Sequence, residues 1–553
     1  MPSLNWIGKE AVINHHKEVY YHLLKSNDGL SINQDISDGN ILVHGDNLIA
    51  LKSLLPYYAT RIKLIYIDVP YNTGSEEWIY NDAVNDPQIR KWLGQVVGKK
   101  FEDLSRHDKW LCMMYPRLQL LKKFLNEEGF ICVHIDDTEN ANLKLLMDEI
   151  FLSSNYVTSM YIQVRYEDKT LKRDMDFHKQ VEQILVYRKS PKATPNLKKK
   201  DYSYDKFIYY FKELAEGKEI ELGGKKVVVF KEDEYKLEKL KKGGSREGLK
   251  EIWASGSILD GNSSGRFARD HLEDRKEIDG LKVLYKVYGI GNDMYDYRYF
   301  TGPKRKNAKR CKYYQGVPVE KLEEFEEELP IPNFYDMAGD FGNCRHEGGV
   351  EFKSGKKPEK LVSLLIKHFT NEGDFVLDSF AGSGTTPAVA HKMNRKWVAI
   401  ELGEHCYTHI VPRLTGVVKG EDKTGVSEKY NWNGGGGFEV CQLSIPISDK
   451  LGILNEKLTY ENLAHYIYFK ETGHSLDKGS SDNEPIIGKY RDITYILLYE
   501  QDKTTVLDTK LLKKLNQING MKIVYGDKAV VNPRILKEKK IIFKQIPYQI
   551  EVK

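Results

Sequence analysis

Long apolar runs are absent: nowhere in the 553 residues do about 18 uninterrupted apolar residues occur, the length a membrane-spanning helix requires. The opening stretch MPSLNWIGKEAVINHH has no apolar core of signal-peptide length, so a cytoplasmic location is expected. Cysteine is scarce and scattered. Cys112, Cys132, Cys311, Cys344, Cys406 and Cys441 include no C-x-x-C pair, which signals neither a zinc site nor a disulfide framework, and they read as reduced, mostly buried small hydrophobes. Net charge is nearly lacking too. With 84 basic residues against 80 acidic ones, the balance of +4 excludes a uniformly cationic coat and confines any nucleic-acid contact to local patches. There is no internal repeat, no phosphate loop with Gly-Lys-Ser/Thr, and no nuclease or helicase motif.

What is present is ordinary globular composition, 41% hydrophobic and 30% charged, in a chain too long for one core, so about three domains are expected. NILVHGDN reads as a buried strand, LIALKSLLPYY as a helix and RIKLIYID as a strand, a β-α-β unit. From Ser105, a plausible N-cap, to Leu125, a helical stripe holds Trp110, Leu111, Met114, Leu118, Leu121 and Leu125. FICVHIDD, ENANLKLLMDEIF and QILVYRK follow as strand, helix and strand. Such alternation predicts an α/β fold with a mostly parallel, doubly wound sheet. From about Lys189 the periodicity weakens, and it resumes after Gly349 with KPEKLVSLLIKHF, DFVLDSF, AGSGTT, PAVAHKM and WVAIEL. The sheet is thus interrupted by an insert and then completed. NWNGGGGF reads as a flexible joint before a small α/β tail.

Two stretches carry chemistry. In VLDSFAGSGTT, Gly382 and Gly384 follow a strand and precede a helix, where glycine allows a sharp turn and the helix N-terminus offers free N–H groups. Glu401 ends the next strand, where a carboxylate can accept hydrogen bonds from ribose hydroxyls. The bland alternative is a tight connection that binds nothing. In YIDVPYNTG, Tyr66 to Gly74, Asp68 ends a strand at the crevice side of an open sheet. The amino nitrogen of adenine or cytosine is a poor nucleophile because its lone pair is delocalised. Two acceptors gripping its hydrogens, the Asp68 carboxylate and the carbonyl of Val69, would aim that lone pair at an electrophile. Pro70 biases Val69 toward an extended conformation. Tyr71 could stack on a base drawn out of the duplex. A plain strand-ending turn is the alternative for this motif alone.

Together IDVPYNTG, FAGSGTT and KPEKL resemble a β-class S-adenosylmethionine-dependent amino-methyltransferase, whose catalytic half precedes its cofactor half. LNWIGKE, HGDNLIALKSLLP, WLCMMYPRLQLLKKFL, FICVHIDDTENANLKLLMDEIF, YFTGPKRKNAKRCKYYQGVP, GGGGF and FKQIPY extend the resemblance to the modification (Mod) subunits of type III restriction-modification systems. The resemblance implies a permuted Rossmann-like methyltransferase domain with an inserted target-recognition domain and a small C-terminal domain. The divisions are 1–163, catalytic half; 164–349, insert, with the last catalytic-domain strand near 181–189; 350–430, cofactor half; and 438–553, α/β tail. It makes Asp68, Val69, Pro70 and Tyr71 the catalytic motif, and Asp378, Phe380, Gly382, Gly384 and Thr385 contacts to S-adenosylmethionine. Glu401 would hold the ribose, Asp46 would lie near the cofactor adenine, and Lys357 and Pro358 would border its methionine end. Val69 stands where the family more often has proline, which bears on rate. Adenine N6 in double-stranded DNA is the implied target, with cytosine N4, RNA amino groups or a binding protein without turnover as alternatives. A homodimer and a separate helicase-nuclease (Res) subunit are the implied partners. No metal or covalent nucleophile is required, so the histidines, His107 and His178 among them, read as surface or core residues.

By the same resemblance the insert reads the DNA. TGPKRKNAKRCKYY offers Lys304, Arg305, Lys306, Lys309, Arg310 and Lys312 with no acid among them, suited to phosphate contacts, or to a solvated basic loop. LKKKDYSYDKFIYYFKEL reads equally as a DNA contact or a surface helix. Arg246, Asn262, Arg266 and Arg269 are base-reading candidates by residue type alone.

Overall fold

In the computed structural model, the three runs of the predicted β-α-β unit form the strand Ile41–His44, the helix Asn47–Tyr58 and the strand Ile62–Asp68. The structure describes residues 4–72, 102–168, 176–201, 203–241, 243–254, 263–305, 308, 311–321, 326–352, 355–448, 453–476, 485–501 and 503–546. One ten-stranded sheet dominates. Its strands, in chain order, are β1 (His22–Ser26), β2 (Ile41–His44), β3 (Ile62–Asp68), β4 (Leu125–Ile135), β5 (Tyr156–Gln163), β6 (Val181–Arg188), β7 (Phe334–Asp336), β8 (Phe375–Asp378), β9 (Lys396–Glu401) and β10 (Glu439–Pro446). The helices used below are α1 (Asn47–Tyr58), α2 (Glu102–Phe124), α3 (Asn140–Met147), α4 (Glu359–Phe369), α5 (Thr385–Lys392) and α6 (Val411–Lys419).

The spatial order is β1-β10-β2-β9-β8-β3-β4-β6-β5-β7. From β10 to β4 every neighbouring pair is parallel, β1 runs against β10, and β6 runs against both its neighbours. Parallel strands covered on both faces read as continuous apolar runs, which is why Leu64, Ile65 and Ile67 of β3 are all fully buried. From β3 the chain passes through α2 to β4 on one side, and from β8 through α5 to β9 on the other. The carboxyl ends of β3 and β8 therefore flank a reversal of strand order, where open α/β sheets leave a crevice. Because β6 is antiparallel, its first residues lie at that same end, with Gln183 opposite Ile135.

The boundaries differ from those read in the sequence. The separate compact unit is Leu197–Ile331, narrower than 164–349: β6 lies in the large sheet where a catalytic-domain strand was expected near 181–189, and β7, expected within the insert, joins that sheet too. Likewise β10 is a strand of that sheet, so the tail beyond the glycine run is not a unit starting at 438. It continues as a helix, Tyr460–Thr472, and a four-stranded sheet whose Tyr495, Leu497, Ile523 and Tyr525 join the main core. Helix α2 begins at Glu102, which places Ser105 inside it; once nucleated, a helix extends past a candidate cap at little cost.

Taken by itself, the unit Leu197–Ile331 is built on a six-stranded antiparallel sheet. Lys198–Asp201 and Tyr209–Glu213 are strands, not a helix. Alternation explains this: Tyr209 and Phe211 face the same way and meet Tyr314, with Phe211 also against Tyr235 and Tyr299. All six cysteines are buried and unpaired, and among the described residues no helix is long and apolar enough to cross a membrane.

Candidate active site

Asp68 ends β3 and Asp378 ends β8, the adjacent parallel strands at the reversal, so the acid-proline-tyrosine segment and the glycine turn leave the sheet side by side. Lys357, preceding the Pro358 N-cap of α4, joins them. Its Nζ lies 3.1 Å from Asp68 Oδ1, 2.8 Å from the Tyr71 hydroxyl and 3.5 Å from Glu182 Oε2. Its own carbonyl accepts the Thr385 hydroxyl at 3.2 Å. Burial alone would lower the Lys357 ammonium, but the Asp68 and Glu182 carboxylates turn the net shift upward and keep it charged.

The segment after Asp68 is pinned on both sides of Tyr71. Val69 is buried in the main core, and the Pro70 carbonyl accepts from Trp110 Nε1 on α2 at 2.7 Å. Asn72 holds a left-handed backbone (φ 56°), which asparagine tolerates. Its amide donates to Glu139, a fully buried carboxylate that also takes Asn142 Nδ2 at 2.8 Å and lies 2.5 Å from His107 Nδ1. Gly74, the last residue of the motif, lies outside the described residues. The Tyr71 hydroxyl has one proton, with Glu182 Oε2 at 2.8 Å and Asp68 Oδ1 at 3.1 Å as acceptors. Burial, then the charges of Asp68 and Glu182, raise this phenol well above its ordinary value, so it stays protonated.

Glu182 stands at the start of β6, and His134 near the end of β4 puts Nε2 3.0 Å from it, with Nδ1 3.0 Å from the Tyr66 hydroxyl. Burial pushes the Glu182 carboxyl up, but Lys357, His134 and Tyr71 outweigh it and hold the group well below the usual carboxylate range.

At the glycine turn, Gly382 (φ 53°) and Gly384 (φ 76°) are both left-handed. A Cβ on Gly384 would meet Ile410 Cγ2 at 2.9 Å, whereas at Gly382 the nearest atom is 3.8 Å away, so that side is open. The Gly382 N–H donates to Glu401 Oε2 at 2.7 Å, and Glu401 Oε1 takes the Gly403 N–H at 2.9 Å and lies 3.0 Å from His405 Nε2. Asp378 accepts from the Phe380 N–H at 2.9 Å and the Thr386 hydroxyl at 2.6 Å. Burial first, then the charges of Asp68 and Glu401, still push its carboxyl up to about 7. Phe380 is buried beside it. Asp46 caps α1, accepting from the Leu48 and Ile49 N–H groups, and its second oxygen takes Arg117 Nη2 at 3.0 Å. It meets the glycine turn through Asn47, whose Nδ2 donates to the Ser379 carbonyl at 2.9 Å.

Among the basic residues of the separate unit, Lys304 and Arg305 are exposed, while Lys306, Lys309 and Arg310, with Asn262, lie outside the described residues. Lys312 differs from the expected free phosphate ligand. Its Nζ pairs with Glu251 at 2.8 Å and rests 4.6 Å from the Trp253 ring centre, because it lies in a strand beside Glu251 and Trp253. Arg246 and Arg266 are exposed, and Arg269 pairs with Asp270 at 2.7 Å. A cavity of about 440 Å³ lies elsewhere, where β8 and β9 begin, lined by Tyr57, Tyr58, Arg61, Phe375 and Lys396.

The sequence reading missed Glu182, His134, Trp110, Glu139 and Asn47. The signal for Glu182 was a charged residue just ahead of the apolar run Ile184–Tyr187; it gains meaning only once β6 is known to run antiparallel.

A doubly wound α/β sheet with an acid-tyrosine motif beside a glycine turn at its strand-order reversal defines a ligand-binding α/β protein of the nucleotide-cofactor class. The family model for N6/N4 DNA methylases matches residues 62–412, more than half of the chain, and the chain belongs to that family. It is 30% identical over 443 residues to the probable type III restriction-modification enzyme HindVI Mod subunit of Haemophilus influenzae, covering 74% of this chain and 55% of that one. It is 28% identical over 437 residues to the EcoPI Mod subunit of Escherichia phage P1, covering 71% and 61%. The chain thus spans between half and two thirds of the length of these relatives. A solved structure, the PvuII DNA methyltransferase (cytosine-N4-specific), is 12% identical, with 71% of this chain and 90% of that one covered and a TM-score of 0.32.

Proposed function

We propose that this chain transfers a methyl group from S-adenosylmethionine to adenine N6 of a base flipped out of double-stranded DNA, as the Mod subunit of a type III restriction-modification system. The Lys357 bridge carries the reading: one residue touches Asp68 and Tyr71 with its ammonium and Thr385 with its carbonyl, so an amino-group acceptor and a nucleotide cradle share one crevice. Asp68 accepts one amino N–H and the Val69 carbonyl the other. With its side chain buried in the core, Val69 contributes only that backbone acceptor, as proline would. The Mod names of the relatives in Haemophilus influenzae and phage P1 support the assignment, and a homodimer and a separate Res helicase-nuclease partner are part of the reading that the sequence resemblance implies. The unit Leu197–Ile331 is the target-recognition domain in this reading, with Lys304, Arg305, Lys306, Lys309 and Arg310 on phosphates. Tritium-labelled S-adenosylmethionine with genomic DNA, followed by nucleoside digestion, tests it. N6-methyladenine is the expected product; N4-methylcytosine moves the target to cytosine, and binding without incorporation leaves a protein disabled at Val69.

The glycine turn fits the cofactor, because the open side at Gly382 admits a ligand against the backbone. Gly382, Gly384, Thr385, Asp378, Phe380 and Glu401 would hold it, with Asp46, Lys357 and Pro358 bordering it. When bound, it supplies an electrophilic methyl group on a sulfonium sulfur. Gly382→Ala places a Cβ at φ 53° on that open side. The fold loses about 1–2 kcal/mol, and calorimetry finds cofactor affinity about tenfold weaker.

Asp378 makes binding pH-dependent. At about 7 against the ordinary 3.8, it binds a proton more tightly folded than unfolded, so its stabilising contribution is present below about pH 4 and lost as pH rises through about 7. A cation bound beside it favours the ionised form and expels the proton. Affinity for S-adenosylmethionine therefore rises from about pH 6 to about pH 8, with proton release visible by calorimetry in buffers of different ionisation enthalpy. Asp378→Asn shows neither effect.

A further inference from the structure

Glu182 belongs to neither motif, yet it faces Lys357, Tyr71 and His134 at the centre of the strand-end cluster. We propose that Glu182 is a positioning residue that sets the charge of the transfer pocket: it gives Lys357 and Tyr71 a second acceptor beside Asp68 and adds a second carboxylate against the Lys357 ammonium. The inference rests on the methyl-transfer reading of the same site.

Asp68 Oδ1 is the acceptor the amino group needs, but Lys357 stands 3.1 Å and the Tyr71 hydroxyl 3.1 Å from that same oxygen. For the amino group to replace them, both donors need a second acceptor. Glu182 Oε2 provides it, 2.8 Å from the Tyr71 hydroxyl and 3.5 Å from Lys357 Nζ, so each can stay bonded behind the site when Asp68 turns to substrate. His134 stands behind Glu182, with Nε2 3.0 Å from Oε2 and Nδ1 3.0 Å from the Tyr66 hydroxyl. Two carboxylates, Asp68 and Glu182, then face one ammonium, Lys357, and an ionised Asp378 next to Asp68 adds to the same sign.

The second carboxylate suits the reaction. As the amino nitrogen lone pair forms the N–C bond, the S–C electron pair stays on sulfur, and positive charge passes to nitrogen before nitrogen releases a proton to solvent. Fixed negative charge at the receiving end acts where charge develops.

Two measurements on the full chain test this. The first is the affinity ratio between a cofactor analogue carrying an ammonium in place of the methylsulfonium and the neutral S-adenosylhomocysteine, by calorimetry. The ratio in Glu182→Gln is expected to fall about tenfold, and Lys357→Met/Glu182→Gln, which removes the ammonium that neutralises Asp68, to restore it. The second is single-turnover methylation of DNA, expected to fall about 10- to 100-fold in Glu182→Gln and to recover in part in the double variant. A slower rate with an unchanged ratio marks a merely structural role and overturns the proposal, as does a double variant no better than Glu182→Gln. A wild-type chain that binds neither ligand and transfers no methyl overturns the methyl-transfer reading itself, which is a different result.

Discussion

Asp68→Asn slows methyl transfer by about 10²- to 10³-fold at saturating cofactor and DNA, the range seen when a pre-aimed polar group at a reacting centre is lost. The substitution is nearly isosteric, so β3 and the Trp110 bond to the Pro70 carbonyl are retained. What changes is charge and acceptor capacity: an amide offers one oxygen and two unwanted donors where the amino group needs an acceptor. Lys357 keeps Glu182 as a counter-charge, so the bridge to the glycine turn survives. S-Adenosylmethionine affinity is therefore expected within about threefold of wild type, since the swap leaves the bond from Thr385 to the Lys357 carbonyl in place. Rapid-quench single-turnover kinetics with parallel calorimetry separates the two. A variant that loses cofactor binding in proportion to rate would mean that Asp68 belongs to the cradle instead.

Asp68 and the glycine turn were legible because each is a local pattern, an apolar run ending in a polar residue that then turns, and a parallel sheet brings strand ends of one polarity together whatever separates them in the chain. Glu182 was not legible, because its meaning depends on β6 running antiparallel to β4, a pairing that no local pattern near residue 182 specifies. The insert boundary failed for a related reason. Phe334–Asp336 is only three residues long and is a strand because it pairs with Tyr161–Gln163, far upstream. Lys312 looked like a free cation in a basic run, but antiparallel pairing places Glu251 and Trp253 beside it, and its charge is spent there. Charge runs display composition; what faces them is set by tertiary pairing.

Behind the glycine turn lies a second charge cluster, where Lys392→Met is expected to cost about 3–5 kcal/mol of folding stability, the usual loss when one partner of a buried ion network is removed. Lys392 Nζ lies 3.0 and 2.8 Å from the two Glu359 oxygens and 2.6 Å from Asp422 Oδ2, and all three side chains are essentially inaccessible. Arg413 is the remaining cation of the cluster, 2.8 Å from Glu359, and it also donates to the Ser383 carbonyl and the Thr385 hydroxyl, so strain here reaches the glycine turn. Methionine fills the volume but leaves Asp422 with only Thr424 as a partner. The pH dependence distinguishes lost charge from lost packing. In the wild type, burial raises Asp422, but Lys392 and Thr424 outweigh it and hold the group below the ordinary carboxylate value, so it stabilises above its unfolded pKa and that contribution is lost as pH falls through the folded one. Without Lys392, burial alone favours the protonated acid, and the variant regains stability on mild acidification. Urea unfolding should therefore show the gap between wild type and Lys392→Met narrowing from about pH 8 to about pH 5. Adding Asp422→Asn, which removes the unpaired charge, should recover part of the loss at neutral pH. A gap that is constant across that range would assign the loss to packing and take the charge cluster out of the account of the glycine turn.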